Sequence, residues 1–201
     1  MNYIYCVLIL TSILSMITMT IIVKTNTTLD RTSRTWFRIT FLGIALAMFA
    51  EFSRAFLDVH PLSPTLYKII TLLEFSITPM LPIPLSLACG VRKAAIPTTA
   101  ILGTHALLEM FLVNFNLVFS VSENCIYKRG PFYIIYIISY VLSLLYLIMV
   151  FYFISRRFKN RHSIILIFSL IIIFAGIIPS LIDRNIKTAF LGMTFMGIIL
   201  Y

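Results

Sequence analysis

The chain has 201 residues, 60% of them hydrophobic and 11% charged, with a mean hydropathy of +1.02. Soluble domains carry about a quarter charged residues, so this composition places the chain in a membrane and leaves no room for a soluble catalytic domain. The net charge of +9 does not point to nucleic acid, because the Lys and Arg residues fall in short clusters between hydrophobic runs, where they set topology.

The pattern predicts an all-α, polytopic transmembrane bundle occupying residues 1–201 as one unit. Its seven helices span 3–23, 36–57, 65–89, 95–119, 131–154, 163–182 and 187–201. The first segment lacks a basic flank (Met1, Asn2, Tyr3) and is too long for a signal-peptide core, so it reads as an uncleaved helix. The connections KTNTTLDRTSRTWFR, GVRKAA and SRRFKNRHS together hold ten of the sixteen Lys and Arg residues. The opposite connections hold Arg54, Lys68, Lys128, Arg129, Arg184 and Lys187. By the positive-inside rule the N-terminus is outside and the C-terminus cytoplasmic, which makes this a multi-pass protein of the inner (plasma) membrane. The longest outer connection, residues 121–132, is too short to be a sensing domain, so any stimulus is read by the bundle, its outer loops or the lipid.

The second to fourth segments carry ionisable side chains at the depth of the outer leaflet: Glu51 and Arg54, then Glu74, then His105 and Glu109. Such groups are costly in hydrocarbon and are functional candidates for that reason. The spacings Glu51–Arg54, Arg54–Asp58 and His105–Glu109 put each pair on one helix face, where each can neutralise itself locally. Three readings of this layer stand side by side: polar pairs that hold helices in register, an outward-opening pocket for an ion or a small-molecule or lipid ligand, and a proton relay, which would need a more continuous chain of titratable groups than the sequence shows.

The third segment contains Pro79, Pro82 and Pro84. Each removes a backbone donor, so the inner half must leave regular α geometry, and these residues are hinge candidates. Pro131 is expected to start the fifth helix, and Pro179 to kink or end the sixth. The last hydrophobic stretch, Thr188 to Tyr201, has fourteen residues. At 1.5 Å per residue it covers about 21 Å of a hydrocarbon core roughly 30 Å thick, which implies a natural chain that continues past Tyr201 to the cytoplasm.

No H-E-x-x-H, G-x-S-x-G or P-loop motif is present, no cysteine or histidine lies at metal-ligand spacing, and no cofactor signature appears. The chain is not read as an enzyme. Cys6 and Cys125 fall on the same side of the drawn topology, which leaves a disulfide open beside plain packing roles.

The segment LDRTSRTWFRITFLGIALAMFAEFSRAF resembles the N-terminal multi-helix sensor regions of certain bacterial diguanylate cyclases and histidine kinases. LYKIITLLEFSITPMLPIPLSL is similar to that group's third helix, and FSVSENCIYKRGPFYIIYIISY to its outer loop leading into helix five. The resemblance implies a sensory input module that passes an external or lipid-borne stimulus to a cytoplasmic cyclase or kinase domain lying outside this chain. It implies a homodimer, since such outputs need two subunits. It also implies that Asn124, Tyr127, Arg129 and Gly130 shape an outer mouth above Glu51 and Glu74. The alternatives are a small transporter or channel with a midplane polar site, and a scaffold bundle that binds a membrane partner. No internal repeat supports the transporter: the three-proline segment has no counterpart in the other half of the chain.

Overall fold

The computed structural model describes residues 3–157, 163–182 and 189–201. It is an all-α bundle with one short hairpin. The first helix, α1 (Tyr3–Thr25), is uninterrupted. The second, α2 (Arg31–Val59), begins at Arg31 rather than at residue 36, because Asp30 caps it. The Asp30 carboxylate accepts from the Thr32 and Ser33 amides at 3.1 and 3.0 Å. Capping of this kind satisfies amides that the first turn leaves without partners, so the polar turn before the apolar run becomes helical too.

Hydrogen bonds from Ser33 are the leading reason that the Asp30 carboxyl is held below its ordinary range. A carboxyl depressed in the folded state contributes stability above its unfolded pKa and loses it as pH falls through the folded one. Amide exchange over residues 32–34, corrected for intrinsic rates, is therefore expected to accelerate on acidification. Asp30→Asn keeps a cap but should abolish that acid dependence, as hydrogen-exchange mass spectrometry would show.

The three-proline segment breaks as its sequence demands. Helix α3 (Pro64–Ile77) gives way to a 3-10 turn at Thr78–Met80, and a separate helix, α4 (Pro82–Ala88), follows. Pro79 and Pro82 lack the N–H that would continue the ladder. The Thr78 hydroxyl donates to the Glu74 carbonyl at 2.7 Å on one side of the break. On the other side, Ser86 and Tyr146 share a 2.6 Å hydrogen bond that ties α4 to the helix after the hairpin.

Helix α5 (Ala95–Leu112) is shorter than the predicted 95–119 and ends through a 3-10 turn at Val113–Phe115. The reason is a Schellman stop. Asn116 adopts a left-handed conformation (φ 56°), its amide donates to Val113, and the Leu117 amide reaches back to Leu112. Residues 117–119 therefore leave the helix. The connection between α5 and the next helix is not irregular: β1 (Phe119–Val121) and β2 (Tyr127–Arg129) pair antiparallel, with Phe119 opposite Arg129. Helix α6 (Tyr133–Arg157) starts at Tyr133, so Pro131 lies just before it and does not open it. Helix α7 (Ser163–Ile182) runs past Pro179 without ending there. Helix α8 (Ala189–Leu200) closes the chain. Lys159, Arg161, Arg184 and Lys187, which entered the charge count, lie outside the described residues.

Among the described residues, five helical stretches are long and apolar enough to cross a membrane, α3 and α4 counting as one. Helices in hydrocarbon associate by close packing and polar contacts, since lipid tails are as apolar as leucine. The sequence of α2 suits that requirement. Ala45, Ala47, Ala50 and Ala55 are all buried, and α2 packs against α1, α3, α4 and α8. Helix α1 is peripheral, with 22% of its span buried against 56% for α3 and α4. Helices α7 and α8 meet closely at Gly192, where a Cβ would stand 3.0 Å from the Ile172 carbonyl oxygen. The Tyr201 ring packs edge-on with Phe37 and Phe41, and its hydroxyl accepts from the Asn26 side-chain amide at 2.6 Å, fixing the far end of α8 to the α1–α2 turn. The hairpin marks the other end of the bundle, called here the hairpin end. No disulfide joins Cys6, Cys89 and Cys125.

Candidate functional site

One helical face of α2 presents Glu51, Arg54 and Asp58 toward the hairpin end, and one face of α3 presents Tyr67, Thr71 and Glu74. Both sets follow helical spacing, so antiparallel packing of the two helices brings them together. Arg54 pairs across the helices, not along its own. Its Nη2 donates to Glu74 Oε1 at 3.1 Å, and its Nε lies 2.7 Å from Oε2 in an ion contact that is poorly aligned for a hydrogen bond. The local pairings Glu51–Arg54 and Arg54–Asp58 expected from spacing are thus replaced by an interhelical one. Glu51 and Asp58 remain within electrostatic range of the same guanidinium. Three carboxylates therefore surround one half-buried cation.

Each of the other two carboxylates is engaged by a tyrosine. The Tyr67 hydroxyl donates to Asp58 at 2.6 Å. Glu51 is turned toward α1, where it faces the Tyr5 hydroxyl. These two side chains line a cavity of about 10 Å³ together with Leu8, Ile9, Met48, Phe190 and Leu191. That is room for a single water molecule. The network thus reaches from the hairpin end to the start of α8.

The hairpin rests on the end of this network. Tyr127 stacks on Tyr67 and on Phe119, with centroids 6.4 and 5.8 Å apart. Burial raises the Tyr127 phenol well above its ordinary pKa, and Tyr133 adds to the effect. Phe119 packs edge-on to Phe75, and Phe75 stacks on Tyr136 at 4.0 Å. Lys68 donates to Asn116 at 3.0 Å, pinning the approach to β1 onto α3.

The predicted residues therefore divide. Glu51, Arg54 and Glu74 share one network, and Tyr127 covers it. Arg129 sits elsewhere, exposed, with its guanidinium 4.5 Å from the centre of the Tyr133 ring in a cation–π contact. Asn124 is exposed, while Gly130 is pressed against the Leu117 carbonyl. The described hairpin is thus a packed cover and not an open mouth. His105 and Glu109 lie 3.3 Å apart on α5, both buried, and no ion pair among the described residues links them to Arg54 or Glu74. The candidate hinge Pro79 stands one turn beyond Glu74, and Pro82 and Pro84 sit in the first turn of α4. No group of three His, Cys, Asp or Glu side chains suited to a metal occurs among the described residues.

Sequence reasoning passed over Tyr5, Tyr67 and Thr71. The signal was present in helical spacing: Tyr67, Thr71 and Glu74 recur at i, i+4 and i+7. Tyr5 lies at the hairpin end of its helix, where Glu51 lies on its own.

No protein-family model, curated protein or solved structure matches this chain.

Proposed function

We propose that this chain is a membrane-embedded sensory input module of a bacterial signal-transduction protein, held in the inner membrane with its N-terminus and hairpin end outside. It reads a small-molecule or lipid-borne stimulus and biases a cytoplasmic output domain, a diguanylate cyclase or histidine kinase, acting as a homodimer. One observation carries this reading: an ionic network of the half-buried Arg54, the buried Glu74 and Glu51 and the exposed Asp58 lies under the hairpin at one end and meets the first turn of α8 through Glu51. A stimulus that changes the pairing of Arg54 acts on α1, α2, α3 and α8 together. Such a bundle signals only if the two arrangements bind the stimulus differently. The proline break one turn past Glu74 supplies a place to bend.

The test joins the chain in frame to a diguanylate cyclase domain and reads cyclic di-GMP in cells. Glu74→Gln keeps the side-chain shape but removes the charge that Arg54 pairs with. It is expected to move basal output several-fold while membrane insertion and abundance stay normal. Unchanged output at normal abundance would remove the network from signalling, and solute flux in proteoliposomes of the native chain would then favour a transporter.

A further inference from the structure

Apart from the Arg54 network, α3 and α5 bury a second set of polar atoms. His105 is 4% exposed and Glu109 0%. None of their four side-chain nitrogen and oxygen atoms has a hydrogen-bond partner among the described residues. Thr71 on α3 is also fully buried with its hydroxyl unpartnered. A helical threonine ordinarily bonds back to the carbonyl one turn earlier, as Thr78 does to Glu74. Buried groups left this way are rare enough to need a specific explanation.

The register brings these atoms together. Helix α3 starts at the hairpin end and α5 finishes there, so the two run antiparallel in contact. His105 comes beside the Phe75 carbonyl without reaching hydrogen-bond geometry. That carbonyl is the one whose helical partner would be the amide of residue 79, which proline does not have. One turn toward the hairpin end, the same two helices carry Thr71 and Glu109.

His105 Nε2 and Glu109 Oε1 lie 3.3 Å apart, not aligned as a hydrogen bond but too close to admit any atom but hydrogen between them. The charge arithmetic then decides the occupancy. With no proton beyond the neutral imidazole's own, the pair carries one negative charge; with two added protons it carries one positive charge. Either is a net charge in hydrocarbon, and among the described residues of the elements packed against α5 neither has a counter-ion. Those elements are α3, α6, α4 and the two 3-10 turns. On α3, Glu74 is committed to Arg54, Tyr67 to Asp58 and Lys68 to Asn116. The titratable groups of α6 that have described side chains are tyrosines, and α4 and the turns hold none. One added proton makes the pair neutral overall.

We propose that His105 and Glu109 form an intramembrane proton-binding site that holds one shared proton, flanked by the Thr71 hydroxyl and the Phe75 carbonyl. The proton belongs to the pair and not to either residue. The site stands whether or not the chain signals, and its readout is separate from cyclic di-GMP.

The experiment is infrared difference spectroscopy of the full chain in lipid nanodiscs at neutral pH, native against Glu109→Gln and against His105→Gln. The expected native-minus-Glu109→Gln spectrum contains either a protonated-carboxyl band or imidazolium bands, amounting to one proton per chain. His105→Gln should keep the proton, as a carboxylic acid on Glu109. A native spectrum in which Glu109 is an ionised carboxylate beside a neutral His105 would overturn the proposal. Solid-state NMR of the native chain labelled with ¹⁵N-histidine and ¹³C-glutamate reads the same two charge states without any substitution, should either variant fail to fold.

Discussion

Arg54→Met is expected to destabilise the bundle by about 3 kcal/mol, the low end of the range for removing one partner of a buried ion pair. The low end applies because the Arg54 side chain is 19% exposed while Glu74 is 8% exposed. Removing the guanidinium strands Glu74 and leaves Glu51 and Asp58 without the cation that all three carboxylates share. Adding Glu74→Leu should recover part of the loss, since an apolar pair of similar volume does not carry a stranded charge. A double-mutant cycle measured by reversible unfolding in mixed micelles gives the coupling directly. A coupling below about 1 kcal/mol, the level of exposed pairs, would mean that the pair is solvated and would remove it as the organising contact of the network.

Gly130→Ala is the second large effect. A Cβ there would lie 2.2 Å from the Leu117 carbonyl oxygen, 2.5 Å from its carbon and 2.9 Å from the Asn116 oxygen. All three are backbone atoms, so no rotamer change relieves the clash. Gly130 also donates to Val118 and Phe132 to Leu117, which lock the hairpin to the start of α6. The cost should exceed the roughly 1–3 kcal/mol of ordinary overpacking. The loss should be concentrated at the hairpin: limited proteolysis is expected to cut between residues 117 and 130 in the variant first. Native-like resistance there would show that the approach of Gly130 to Leu117 is not required.

Hydropathy and charge made the apolar helices legible because hydrocarbon imposes a length and a composition on each span. The break at Pro79 and Pro82 was legible for the same kind of reason, since a missing donor acts at a known position. The ends of α2 and α5 were not. Asp30 extends α2 through a polar turn that hydropathy discounts, and Asn116 ends α5 inside an apolar stretch that hydropathy would continue. The hairpin escaped notice because Phe119–Val121 and Tyr127–Arg129 are only three residues each and pair through the backbone. In the candidate site, depth along each helix was readable, but azimuth was not. Spacing within one sequence finds partners on the same helix, whereas Arg54 chose Glu74 on the next one and left His105 and Glu109 as a separate pair.

The Arg54 network is expected to govern the position of α8 through Glu51. The most direct measurement is the distance between spin labels on exposed faces of α2 and α8, at Leu46 and Ile198, in a chain with its three cysteines replaced. Glu51→Gln removes the charge beside Phe190 and Leu191 while preserving side-chain shape. This substitution is expected to shift or split the native distance distribution, because α8 loses its link to the network. An unchanged distribution, with Glu51→Gln folded and inserted as the native chain is, would contradict it.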